Sequence, residues 1–406
     1  MMQVECTKLF IIFLIIMGSV LLKRSLNEAV FLAIASTVLL FRIPINQTLS
    51  LSVHSVFEKD TLIVLGSYFF ITFLQRIMEK LNLLKKAETS LERISGNRRV
   101  VCMFAPAIME FLPSVGVVNI CGQIIEDIIG YDFSAEDKTF LTSHYMHISE
   151  SFSPTYSATL LALSITSVPT GKFVLGMFPM VLVLLFLGYL FGLKKIDKGY
   201  HRKQMTSDKM GEFKQLIYCF WPLVACIAAV VVANLSVLQV LPVIILLAIM
   251  IYQIEIKDIP QLLKGCFEKK IIINTIILMI FKNILTSTEV IEILPQLFER
   301  SCLPQFVAFG LIMLFGTIIG GTNEMIVLVI PLAFMTITNA VTALLVFLMA
   351  IAYAGSQLSP THICLSIAAD YFHVPWGELF KRTLRIMIVF VVIVHFYYLL
   401  LVRCGI

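Results

Sequence analysis

The sequence predicts an all-α polytopic membrane protein: about ten transmembrane helices plus two re-entrant hairpins, arranged as two inverted-topology repeats with discontinuous helices. Three observations carry this. The 406 residues are 59% hydrophobic and 14% charged, with a mean hydropathy of +0.93, a balance that soluble domains do not reach. Two long apolar stretches, 100–129 and 305–336, are each interrupted near the middle by helix breakers. The third is a duplication. FSPTYSATLLALSITSVPTG from Phe152 aligns without a gap on LSPTHICLSIAADYFHVPWG from Leu358.

Against the ~20 apolar residues that cross a bilayer, spans fall at 4–22, 26–42, 58–79, 139–168, 172–193, 215–234, 237–254, 271–293, 340–371 and 382–402. The first run reads as a span, since no small-residue cleavage site leads from it into a soluble domain. Basic residues then set the orientation. Segment 76–99, with Arg76, Lys80, Lys85, Arg98 and Arg99, and segment 194–214, with Lys194, Lys195, Arg202 and Lys214, both belong in the cytoplasm. Both reach that side only if 100–129 enters and leaves from one face. It is therefore a hairpin, broken at Pro113-Ser114-Val115-Gly116. Carried through the chain, this places both termini outside a plasma-membrane protein. The net charge of +5 is a topology signal of short loops and carries no nucleic-acid message. The nine cysteines show no paired spacing and read as small core hydrophobes.

In the duplicated stretch, Ser153, Pro154, Thr155, Ala162, Val168, Pro169 and Gly171 meet Ser359, Pro360, Thr361, Ala368, Val374, Pro375 and Gly377. The same register lays the first hairpin break, Pro113–Gly116, over Ile319–Thr322, within one residue of the second break at Gly320-Gly321-Thr322-Asn323. Hairpin and broken helix therefore recur in order, giving an N-terminal repeat at 1–193, a basic linker at 194–214 and a C-terminal repeat at 215–406. With one hairpin opening inward and the other outward, the halves run in opposite directions, a construction of secondary transporters.

With these motifs the chain resembles the ion transporter superfamily, which includes divalent-anion/sodium symporters, citrate and gluconate permeases and arsenite pumps. Within it, QLSPTHICLSIAADYF at 357–372 is most similar to a ten-span membrane protein family of unknown function. The resemblance implies alternating access, with an elevator-like movement inside a homodimer. The tips here depart from the Ser-Asn-Thr of the better-studied symporters.

Each Ser-Pro-Thr is expected to start a new half-helix, with serine as N-cap and proline in the first turn. Such starts leave unpaired amides and a positive dipole end at mid-depth, a seat for an anion. Ser114, Gly116, Asn119, Gly320, Gly321, Thr322 and Asn323 at the hairpin tips supply the rest of the wall with glycine backbone and uncharged polar groups. Lys282 lies roughly 16 Å into its span at helical rise and needs an acid, with Glu110, Glu150 and Glu324 near the breaks. His144, His147 and Glu150 share three-residue spacing on one helix side. A metal reading lacks a completing His or Cys cluster; a proton relay through His147 and Glu150 suits them better.

The expectation is a secondary active transporter, not an enzyme, moving a small anionic solute with a proton or sodium gradient and using no cofactor beyond the coupling ion. Membrane lipid and the solute are its expected partners. An anion channel and an intramembrane metalloenzyme are the alternatives. No GxxxxGK loop is present for an ATP-driven pump.

Overall fold

The computed structural model describes residues 26–406 apart from 96, 111–114, 131–132, 167, 198–207, 234, 265, 268, 289–302 and 361, together with scattered positions between 7 and 22. Among the described residues there are eighteen helices and no strand. Four of them are long and apolar enough to cross a membrane: Lys59–Lys80, Thr170–Phe191, Lys209–Val232 and Trp376–Arg403. Outward faces carry the same message. Leu175, Phe178, Leu182 and Phe186 form an exposed stripe at helical spacing along Thr170–Phe191, a surface that only hydrocarbon would cover without cost.

In chain order the first half holds α1 (Leu26–Phe41), α2 (Ile45–Phe57), α3 (Lys59–Lys80), α4 (Leu83–Ser95), α5 (Arg98–Met109), α6 (Val115–Ile129), α7 (Ala135–Met146), α8 (Ser157–Thr166) and α9 (Thr170–Phe191). The second holds α10 (Lys209–Val232), α11 (Val237–Ile251), α12 (Ile259–Lys264), α13 (Lys269–Thr286), α14 (Gln305–Gly320), α15 (Thr322–Thr336), α16 (Val341–Ser356), α17 (Ile363–Tyr371) and α18 (Trp376–Arg403). Local sequence explains the starts. Ser134 Oγ accepts from the Asp137 amide before α7, and Ser236 with Gln239 forms a reciprocal capping box before α11. Pro169 and Pro375, equivalent in the duplication, both sit extended before long helices.

Three helices were not expected, among them the short α12. Segment 43–57 contains α2, whose Ile45, Leu49, Val53 and Phe57 recur every fourth residue and face outward. The basic segment 76–99 folds into α4 because Leu83, Leu84 and Ala87 lie on one buried face while Lys85 and Lys86 lie on the other. Spans 139–168 and 340–371 are broken as expected, at 152–156 and 357–362. The expected spans at 4–22 and the end of 271–293 lie largely outside the described residues.

α5 and α6, the described helices of the 100–129 stretch, pack on one another. Arg98 Nε, at the start of α5, donates to the Ile128 carbonyl at 2.8 Å, at the end of α6. α14 and α15 pack on one another across the single residue Gly321. The pairs then cross between halves: α15 packs on α8, and α6 packs on α17. The basic segments meet at one end. Arg99 Nε donates to the Ile196 carbonyl at 2.6 Å, Lys195 pairs with Asp137 at 3.8 Å, and Arg382 pairs with the same Asp137 while lying 4.8 Å from the Phe140 ring centroid.

Helix contacts are tight where glycines allow them. A Cβ on Gly355 of α16 would sit 2.8 Å from Thr317 Cβ and 2.9 Å from the Leu314 carbonyl on α14, whereas one on Gly377 would meet nothing within 4 Å. Gly355→Val is expected to lower stability by about 1–3 kcal/mol through overpacking. Thermal unfolding in detergent checks this, with Gly377→Ala expected to stay within about 0.5 kcal/mol of the parent.

Candidate functional site

The inter-half crossing borders a half-open cavity of about 330 Å³. Its walls come from the first break (Glu150, Ser151, Tyr156, Ser157), the second break (Ser356, Ser359, His362, Cys364) and the Gly321 tip with Thr322, Asn323 and Glu324. Thr317 and Tyr353 complete it.

Gly321 makes the tip possible. Its φ of +97° and ψ of 162° lie in a region that only glycine occupies without strain. The Gly321 amide closes α14 by donating to the Thr317 carbonyl at 3.0 Å, and α15 then begins with no side-chain cap. Its first amides have no intrahelical acceptor and lie at the cavity wall. A second tie holds the tip: Ser359 Oγ donates to the Ile318 carbonyl at 2.8 Å.

Across the cavity, α7 tightens into a 3-10 turn at His147–Ser151 that carries Glu150. Glu150 Oε1 accepts from Tyr156 Oη at 2.5 Å and lies 4.0 Å from His147 Nε2 and 3.8 Å from His362 Nε2. Glu110 is buried beside the Glu150 carboxyl. The His147 and His362 rings meet edge to face with centroids 4.6 Å apart. Around this arrangement, Thr317 Oγ1, Asn323 Oδ1, Tyr353 Oη and His147 Nε2 are buried without a hydrogen-bond partner. Such orphans are rare in folded proteins and cluster at sites that receive another group.

Of the expected residues, the fold brings Glu150, Gly321, Thr322, Asn323, Glu324 and Ser359 to the cavity. His147 stands behind Glu150. Gly320 is buried at the end of α14, and Asn119 is exposed on α6; neither lines the cavity. Gly116 falls in the first turn of α6. Ser114 and Thr361 lie outside the described residues.

Three expectations require correction. Ser153-Pro154-Thr155 does not start a helix: Ser153 Oγ bonds Thr155 Oγ1 at 2.7 Å within a turn, and α8 begins at Ser157. Likewise Pro360 belongs to the break, and α17 begins at Ile363 after His362. The hydroxyls serve the turn and the tip, so the helix starts fall two to three residues later. Lys282 pairs with Asp60 at 3.6 Å, because α13 packs chiefly against α1, α2 and α3 and only more lightly against α15. Finally, His144 faces away from Glu150. Its Nε2 meets the Leu184 carbonyl at 3.0 Å, in space left by Gly188 on α9, because the change to a 3-10 turn rotates the following residues off its face.

Tyr156, His362 and Cys364 were missed. The signal existed: Tyr156 and His362 are equivalent in the duplicated alignment, each directly after Ser-Pro-Thr, but they differ in type. Both converge on Glu150.

Replacing Gly321 by alanine would strain the tip by about 1–3 kcal/mol and place a Cβ 2.6 Å from Glu324 Oε2. A fall in the unfolding temperature of Gly321→Ala is the expected result. An unchanged melting curve would show that the tip relaxes freely.

No curated protein matches the chain. A family described as "Protein of unknown function (DUF401)" matches residues 5–401, and over that near-complete length the chain belongs to this family.

Proposed function

We propose that the chain is a secondary active transporter that moves a small anionic solute across the plasma membrane by alternating access, driven by a proton or sodium gradient. The carrying observation is the half-open cavity, with acidic and uncharged polar groups set in a largely apolar wall, that lies between the broken helices of both halves and the Gly321 tip. α8 and α17, of ten and nine residues, are about 15 Å and 13 Å long at helical rise. That is close to half of the ~30 Å hydrocarbon core, which puts their ends near mid-depth. Supporting the inverted arrangement with re-entrant hairpins is the recurrence of element starts at the offset of the duplication: Ala135 and Val341 open α7 and α16, and Thr170 and Trp376 open α9 and α18. Discontinuous helices meeting at mid-depth belong to secondary transporters, and the resemblance to the ion transporter superfamily points the same way. It also implies a homodimer. With the clustered basic ends in the cytoplasm, α18 runs from Arg382 outward and leaves the C-terminus outside.

Charge balance gives the coupling. Glu150 and Glu324 line the cavity, and among its described lining residues there is no Lys or Arg. An anion can be held by the positive ends of α15 and α17, but in a low dielectric the two carboxyl groups admit it only when positive charge enters with it. Protons or sodium ions supply that charge.

A thermal-shift screen of the purified chain against carboxylates, oxyanions and sugar acids, at several pH values and with or without sodium, identifies the solute. Saturating ligand at a hundred times its dissociation constant stabilises the fold by about 2.7 kcal/mol. In proteoliposomes, uptake of that solute is expected to saturate and to run uphill under an inward proton or sodium gradient. Glu150→Gln, which removes one charge to be balanced, is expected to lose uphill accumulation while still binding solute. Non-saturating current without accumulation would identify a channel and overturn the proposal.

A further inference from the structure

Sequence spacing left His147 and Glu150 without companions for a metal, and the second half of the chain supplies them. The ligand-capable atoms of His147, His362 and Cys364 lie within 4.8 Å of one another, and Glu150 Oε1 stands 4.0 Å and 3.8 Å from the two imidazole Nε2 atoms. We propose that His147, His362, Cys364 and Glu150 form a binding site for a divalent transition cation of the zinc class.

Geometry comes first. Bonds of about 2.0–2.3 Å to a tetrahedral zinc place its ligand atoms roughly 3.3–3.7 Å from one another. The observed set, spread over up to 4.8 Å, is wider by up to roughly 1.1–1.5 Å, which side-chain rotations close. Two nitrogens, a thiolate and a carboxylate are the donor types that zinc takes, and the shell is complete at four. Cys364, the second residue of α17, is half-buried and lines the cavity, so a cation can reach it.

The imidazoles are already turned for ligation. Nδ1 of His147 lies 2.6 Å from the Ser143 carbonyl, and Nδ1 of His362 lies 3.2 Å from the Ser356 carbonyl. A carbonyl only accepts, so each Nδ1 carries the proton and each neutral ring presents a bare lone pair at Nε2. This anchoring of the far ring nitrogen is the outer-shell arrangement of metal-bound histidine. His147 is fully buried, yet its Nε2 has no hydrogen-bond partner. A structural core histidine would have found one.

Charge agrees with the geometry. A cysteine ligand gives up its proton on binding, and the divalent cation then balances the Cys364 sulfur and the Glu150 carboxyl at membrane depth. Tyr156 holds Glu150 from behind as the ligand's own support. A monovalent hard ion has no use for a thiol, and magnesium or calcium would prefer an all-oxygen shell.

The inference stands apart from transport, because binding is read on the purified full-length chain with no gradient. Cobalt(II) is the probe, added to the detergent-solubilised, metal-free protein. One equivalent is expected to give the intense visible bands of a tetrahedral centre and a thiolate-to-metal charge-transfer band, both removed by zinc. Cys364→Ser should abolish the charge-transfer band, and His362→Gln should weaken binding by at least about tenfold. Cys404→Ser, at the exposed C-terminus, should change neither. Should the Cys364 and His362 variants fail to fold, wild-type protein decides the matter: zinc is expected to protect Cys364 from maleimide labelling, read by peptide mass spectrometry, while Cys404 stays reactive. A hydrogen-bonded cluster with no metal affinity predicts no cobalt bands. That result, a charge-transfer band that survives Cys364→Ser, or equal labelling of Cys364 with and without zinc overturns the proposal.

Discussion

A backbone amide or carbonyl in hydrocarbon must find a partner within the protein, since water is not there to serve it. Every helix break at depth is therefore a debt of several polar groups, and this constraint organises the inner part of the molecule. The break after α7 is closed by a 3-10 turn, by Ser153 against Thr155, and by the packing of α15 on the short helix α8. The break after α16 is closed by Ser359 reaching the Ile318 carbonyl beside the tip. Among the buried groups left unpaired, those on Thr317, Asn323, Tyr353 and His147 face or adjoin the cavity.

Helical class and the helix interruptions within 139–168 and 340–371 were legible because each rests on a local rule. Apolar length gives the helices, and proline or glycine gives the breaks. The amphipathic helix α4 was not legible from hydropathy. Its buried Leu83, Leu84 and Ala87 alternate with lysines, so any window average hides its one-sided apolar face. Lys282 failed for a different reason: depth along a span says nothing about which neighbour the residue faces, and Asp60 lies on α3, far away in sequence.

The candidate site was half legible. Glycine and small polar residues at Gly321, Thr322 and Asn323 announce a tip, and a glutamate one turn before Ser-Pro-Thr announces Glu150. Counting identities between the repeats, however, concealed the residues where the repeats differ. Tyr156 and His362 occupy equivalent places, and so do Ala158 and Cys364. Chemistry enters an inherited symmetric scaffold through such differences. A donor phenol on one side and an imidazole on the other give Glu150 two unlike partners that a strict repeat would not provide.

The mutual crossing of α15 on α8 and α6 on α17 bears on how the chain is made. Synthesis proceeds from the N-terminus, so Glu110, His147 and Glu150 enter the bilayer before the helices that cover them exist. During that interval the first half carries acidic groups and an open helix break toward lipid. Translation of α14 to α17 ends the interval. Neither half is then an independent folding unit, and the ribosome's pace across 215–371 sets how long an insertion intermediate stays exposed to membrane quality control.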